Sequence, residues 1–207
     1  VILNGDLGSD GRVTVSDETL EQCISKKSLL FDKNGEEHYN LISALHKSVR
    51  GSDPDAAVYW LHRMLQGGED PRFIIRRLMR MAMEDIGLAD PNALLLATAA
   101  RQAFDFMGVP EGLIGLDEVA IYLALAPKSN SVELAGMKAD QIIKQTGTLP
   151  VPRAFRNSVT RVGEQLGYGN GYKYDHDSPG AYSAQEHLPK ELAGTQIYTP
   201  TEYGRGK

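Results

Sequence analysis

His38-Tyr39-Asn40-Leu41-Ile42-Ser43-Ala44-Leu45-His46-Lys47-Ser48-Val49-Arg50-Gly51-Ser52-Asp53-Pro54-Asp55-Ala56-Ala57-Val58-Tyr59-Trp60-Leu61 spells two helices and the break between them. Leu41, Ile42, Leu45 and Val49 fall on one face at helical spacing; Ala57, Trp60, Leu61, Met64 and Leu65 resume the pattern after the break. Asp53-Pro54 is the punctuation. The aspartate side chain accepts from a free N–H of the first turn, and proline at the first helical position has no N–H to lose. The same pair recurs at Asp70-Pro71 and Asp90-Pro91, and Val109-Pro110-Glu111 repeats the proline logic. Asn130 with Glu133 three residues on reads as one more capping arrangement. Gly51, Gly67, Gly87 and Gly108 stand where helix C-termini favour a left-handed residue.

Working outward, the spacing predicts helices over about 37–50, 54–66, 71–86, 91–107, 110–126 and 130–146. Connections of a few residues make sequential helices antiparallel neighbours. Ile74, Ile75, Leu78 and Met79 form a third apolar stripe. Leu94-Leu95-Leu96 running into Ala97, Ala99 and Ala100 is apolar most of the way round, as is Ile121-Tyr122-Leu123-Ala124-Leu125-Ala126. Such helices are central, or buried on two sides. The expected fold is an all-α bundle or collar.

A chain of 207 residues can bury a full core. Its formal charge of -5 argues against a general DNA-coating protein. The acidity is uneven: residues 1–150 hold 15 Lys/Arg against 21 Asp/Glu, whereas 151–207 hold 7 against 6. The single cysteine, Cys23, excludes an internal disulfide and a multi-cysteine zinc site, and fits a reducing cytosol. No apolar run reaches the roughly 18 residues of a membrane span, and Val1-Ile2-Leu3-Asn4-Gly5-Asp6 does not read as a signal peptide. A cytoplasmic location is expected.

Both ends depart from the helical pattern. Asp10-Gly11-Arg12-Val13-Thr14-Val15 is a turn followed by a short alternating stretch, and Ser16 or Asp17 is placed to cap a short helix to about Lys26. From Gly147 onward periodicity fades, and residues 163–207 hold 8 of the 21 glycines and 6 of the 9 tyrosines. That composition fits an extended arm that lies on a surface and buries rings.

Two groups of side chains could carry binding. Arg72, Arg76 and Arg80 are four apart on one helical face, which Arg77 extends. Arginine forks suit phosphate, so this stripe could contact DNA, or it could pair with Glu69, Asp70, Glu84 or Asp85, or with a neighbouring subunit. Tyr168, Tyr172 and Tyr174, with Lys173 and His176, combine rings that can stack on unpaired bases with positive charge. Asp175 and Asp177 oppose phosphate there, and tyrosines on an arm also serve to dock it. The five histidines show no His-Glu-x-x-His spacing; Asp175-His176-Asp177 reads as a polar turn. No catalytic, cofactor or metal residue is assigned. A P-loop ending in Gly-Lys-Ser/Thr is absent, as is a hydrophobic strand ending in paired acids.

Taken in order, the stretch 38–61, Gly67-Gly68-Glu69-Asp70-Pro71, Glu84-Asp85-Ile86-Gly87-Leu88-Ala89-Asp90-Pro91, Ala126-Pro127-Lys128-Ser129-Asn130 and Gly167-Tyr168-Gly169-Asn170-Gly171-Tyr172-Lys173-Tyr174-Asp175-His176-Asp177 closely resemble the C-terminal half of the replication-associated recombination protein A family of AAA+ ATPases, kin to Werner helicase interacting protein. The resemblance covers about Asp32 to Thr201. It implies a remnant of the AAA+ helical lid over 1–32, without its nucleotide-sensing arginine, a helical oligomerisation collar over 33–147 like that of clamp loaders, and a C-terminal helix with a Gly/Tyr-rich arm over 148–207. It further implies a homotetramer, and a parent protein that uses ATP and Mg as a DNA-dependent ATPase at stalled forks. Forked or single-stranded DNA and single-strand DNA-binding protein would be its partners, in a nucleoid-associated setting. The chain itself, lacking the P-loop, is expected to need no cofactor and not to hydrolyse ATP alone. Two alternative roles are a DNA-binding module and a protein-partner adaptor, using the arginine stripe and the tyrosine arm.

Overall fold

The structure, a computed structural model, describes residues 6–7, 13–14, 16–17, 36–157 and 161–204. The short helix expected to about Lys26, with Cys23, lies outside these residues, as does most of the proposed lid remnant. Where the alternating stretch was expected, β2 (Val13–Thr14) pairs antiparallel with β1 (Asp6–Leu7). Everything else regular is helical: α1 (Glu36–Arg50), α2 (Pro54–Gln66), α3 (Pro71–Met81), α4 (Asn92–Met107), α5 (Leu113–Leu125), α6 (Ser131–Thr146) and α7 (Arg161–Gln165), with short 3-10 turns. The described residues up to 132 form one compact unit together with 200–204, and Glu133–Thr199 form a second.

In the first unit α5 is the hub, touching α1, α2, α3 and α4. Its sequence explains this, because Leu116, Val119, Ala120, Leu123 and Ala124 are all buried and span more than one face. The alanines let neighbouring helices approach closely, and the leucines fill the spaces between. Leu45 and Val49 of α1, Leu61 and Met64 of α2, and Ile74 and Leu78 of α3 complete the core. Each large side chain so buried contributes about 1.5–3 kcal/mol. Trp60 packs on the edge of this core rather than inside it.

The caps sit as the aspartates predict. Asp53 accepts from Ala56 N, Asp70 from Arg72 N and Asp90 from Asn92 N. Three local expectations are corrected. The left-handed residues after α1 and α2 are Ser52 (φ 61°) and Gly68 (φ 91°), one position beyond Gly51 and Gly67, because each chain makes one more helical hydrogen bond before turning. The helix expected at 110 begins at Leu113: Val109-Pro110 is cis, and residues 109–112 form a turn in which Gly112 N donates to Gly108 O. The helix expected over 71–86 is α-helical only to Met81 and continues as a π-turn over Ala82–Ile86.

The second unit takes in α6 from Glu133 onward; beyond that helix the chain, α7 apart, is a string of short turns rather than an extended strand. Gly169 N donates to Arg153 O at 2.9 Å, folding the 167–172 segment onto the 153–156 turn. Its φ of 80° is one that a side chain resists.

Candidate interaction surfaces

Three of the family-like motifs, 38–61, 84–91 and 126–130, meet at one polar junction. The π-turn brings Asp85 to face α1, where His46 and Arg50 lie one helical turn apart. His46 Nε2 is 2.6 Å and Arg50 Nε 2.5 Å from the two Asp85 carboxylate oxygens. Arg50 also reaches Glu84 at 3.0 Å, and Arg80 meets Glu84 at 2.6 Å. The Asp85 backbone carbonyl accepts from Ser129 N at 2.7 Å. Ser129 Oγ is 3.0 Å from Ser131 Oγ and accepts from Thr201 Oγ1, and Lys128 Nζ donates to the carbonyls of Ala124 and Ala126, closing the end of α5. Glu84-Asp85 and Lys128-Ser129, over 40 residues apart in the chain, thus form one clamp.

Its electrostatics follow from burial and pairing. Burial pushes the Asp85 carboxyl up, but hydrogen bonds from His46 and Arg50, aided by their charges, outweigh it and hold the group below the ordinary carboxylate range. Burial lowers the Lys128 ammonium, and the charge of Asp85 offsets part of that. His46, Glu84 and Asp85 bring three ligand-type atoms within 4.8 Å of one another. Arg50 already occupies both carboxylates, so an ion-paired lock accounts for the cluster. A second polar tie joins the start of α1 to the α2–α3 turn, where His38 Nδ1 lies 2.6 Å from the buried Glu69.

The arginine stripe divides. Arg72 pairs with Asp105 at 3.1 Å and Arg80 with Glu84. Arg76 lies over the Phe73 ring at 5.2 Å. Arg77 approaches His46 Nδ1 at 3.5 Å, and its Nε is buried with no hydrogen-bond partner among the described residues. Burial lowers the Arg77 guanidinium, helped by Arg80 and Arg76 and partly opposed by Glu84.

The tyrosine group folds mostly on itself. Arg156 donates to Tyr168 Oη at 3.2 Å and stacks over its ring, and Tyr172 meets Phe155 edge-on. Tyr174 packs against His176. Gln185 bridges the Lys173 backbone, accepting from its N–H and donating to its carbonyl. Asp175-His176-Asp177 is a 3-10 turn. Hydrogen bonds from the Ser183 hydroxyl and backbone N–H hold the Asp175 carboxyl below its ordinary range. Tyr172, Lys173, Tyr174 and His176 keep exposed surface.

The outer faces of α4 and α5 were legible only as excess apolarity. Leu95, Ala99, Gln102 and Phe106 share one face of α4, and Ile114, Ile121 and Leu125 one face of α5. Phe106 is 92% exposed, Ile114 72%, Leu125 68% and Leu95 67%. The expectation of a central helix is met by α5, whose inner faces are buried, while the outer faces of both helices stay uncovered within the single chain. Among the described residues no helix is long and apolar enough to cross a membrane.

Comparison with known proteins finds matches over nearly the whole chain. A family described as "MgsA AAA+ ATPase C terminal" matches residues 51–207, and one described as "AAA C-terminal domain" matches 2–50. The chain is 45% identical to replication-associated recombination protein A of Coxiella burnetii over 99% of its own length and 47% of that protein. It is 41% identical to the Escherichia coli protein of the same name, over 96% of the chain and 45% of the relative. Against ATPase WRNIP1 of Dictyostelium discoideum it is 43% identical, over 91% of the chain and 20% of that protein. The chain spans about half the length of the bacterial relatives named here.

Proposed function

We propose, on the premise that this chain belongs to the replication-associated recombination protein A (MgsA) family of AAA+ ATPases and corresponds to its C-terminal region, that its own task is to assemble copies of the protein into a tetramer. The observation that carries this reading is the pair of apolar faces on α4 and α5. Phe106, Leu95, Ile114 and Leu125 are large, mostly uncovered and set on rigid helices packed to the hub of the fold. A soluble chain that leaves such side chains facing water in register is built to cover them against another surface. A second copy, which presents the same faces, is the occupant that also gives closed symmetry.

In the longer protein the tetramer would hold ATPase modules, with their ATP and Mg, at fixed spacing on forked or single-stranded DNA at stalled forks, with single-strand DNA-binding protein as a partner. The chain contributes geometry to that reaction rather than chemistry, since no P-loop lies in its sequence.

Light scattering behind size exclusion, over a dilution series, tests the assembly. The expected mass is near four times the 22.7 kDa of one chain. Phe106→Asp with Leu125→Asp is expected to give a folded monomer, because both positions lie outside the core. A wild-type monomer at all concentrations, or an unchanged tetramer in the double variant, overturns the reading.

A further inference from the structure

Between α1 and α3 the first unit carries an open cleft of about 430 Å³. Among the described residues, four cationic side chains line it, Lys47, Arg50, Arg76 and Arg77, together with the rings of Tyr39 and Phe73, and no carboxylate does. That concentration of positive charge stands out on a chain of net charge -5.

The cations are not equivalent. Arg50 is bound to Glu84 and Asp85 behind the cleft. Lys47 and Arg76, both exposed, have no carboxylate within ion-pair distance among the described residues. Arg77 is held with its Nε buried and, among the described residues, without a hydrogen-bond partner. A buried guanidinium nitrogen left without an acceptor carries a desolvation cost that an anionic ligand's oxygen nearby would reduce. Phe73 props Arg76 from below at 5.2 Å, which restricts the fork to one side. Tyr39 is 67% exposed; its ring meets His38 at 5.1 Å and an interplanar angle of 83°, and the rest of it faces outward.

We propose that this cleft is a nucleotide-phosphate site: Lys47, Arg76 and Arg77 take the phosphate oxygens and the Tyr39 ring stacks on the base. A nucleotide unit suits it in three respects: a compact anion for the cations, a flat ring for Tyr39 and a size within the range of small-ligand pockets. The chemistry is the same whether the unit belongs to a single strand or is a free mononucleotide. The proposal gives the DNA contact considered for the arginine stripe a definite place, using Arg76 and Arg77 and leaving Arg72 and Arg80 to their carboxylates. It does not rest on assembly, since α1 and α3 rather than α4 and α5 form the cleft.

Fluorescence anisotropy with a labelled oligothymidylate of about 12 nucleotides, on the full 207-residue chain at about 50 and about 200 mM salt, tests it. Lys47→Ala with Arg76→Ala is expected to weaken binding about tenfold and to reduce the salt slope by about 1.4, two contacts at about 0.7 each. Arg101→Ala, which removes an exposed cation outside the cleft, should leave both unchanged. The Lys47 and Arg76 positions are exposed, so circular dichroism and melting should match the parent. Displacement by dTMP would identify a mononucleotide site. Failure of dTMP to displace, with the double variant still impaired, would identify a strand site. Wild-type protein that binds neither the oligonucleotide nor dTMP at the lower salt, or a double variant that binds as tightly as wild type, overturns the proposal. An assembly failure in the light-scattering experiment would leave this outcome unaffected.

Discussion

Replacing Asp85 by asparagine keeps the shape of the α1/π-turn junction and removes its charge. Asp85 takes His46 at 2.6 Å and Arg50 at 2.5 Å. Hydrogen bonds to charged groups contribute about 1.5–3 kcal/mol each. The asparagine carbonyl can keep one donor, but its NH2 group then faces the other. The loss is one charge-assisted bond plus a stranded donor, reduced because Arg50 is half exposed and retains Glu84. We expect about 3 kcal/mol. Trp60 packs against the core of this unit, so its fluorescence follows this unit through a urea titration. The midpoint should fall with the slope unchanged, and the melting temperature should drop by about 6–12 °C. The pH dependence has a definite sign. Although burial raises the Asp85 carboxyl, its hydrogen bonds bring it below its unfolded value. The contribution is therefore fully present above about pH 4 and is lost as the pH falls through the lower folded-state value. Parent and variant should converge in acid. A variant within about 0.5 kcal/mol of the parent at neutral pH, or a gap that persists to about pH 2, refutes the reasoning.

Two further substitutions separate core from surface. Leu123→Ala in the hub helix should cost about 2–5 kcal/mol, whereas Leu125→Ala, two residues on and 68% exposed, should change stability by about 0.5 kcal/mol or less when the same titration is run on the monomer, at dilutions below assembly. Gly204→Ala should detach the 200–204 segment. Its φ is 61°, and an added Cβ would stand 2.9 Å from Ala89 Cα and nearer still to the Ala89 carbonyl. Hydrogen exchange should rise at 201–204 with the helical core unchanged, and retained protection there would contradict the contact.

The helices were legible because their signals are local. An aspartate before a proline caps its own helix, and apolar residues three and four apart declare a face, so Asp53, Asp70 and Asp90 marked their starts within a residue or two. Pro110 misled because the same residue serves a turn as readily as a first helical position. The π-turn at Ala82–Ile86 depends on partners 39 and 44 positions away, His46 and Ser129, and nothing in its own composition announces it. Residues 46 and 50, one turn apart on α1, opposite the paired acids 84 and 85, were a visible hint. They could be read only once α1 and the π-turn were known to be neighbours. The four arginines looked alike by spacing; Glu84, one turn on, pairs with Arg80 locally, but Asp105, which neutralises Arg72, is reached only across the fold.

Thr201 and Gly204 rest on the first unit, although the chain has made an excursion of 67 residues, 133–199, in between. Closing an unstructured loop of that length costs about 4 kcal/mol of chain entropy. Once the excursion is folded, the distance between its ends is set and most of that cost disappears. Folding of the 133–199 segment and docking of 200–204 on the first unit therefore favour each other through chain connectivity. A ligand or neighbouring subunit that orders either one would be felt at the other, with no shared surface required.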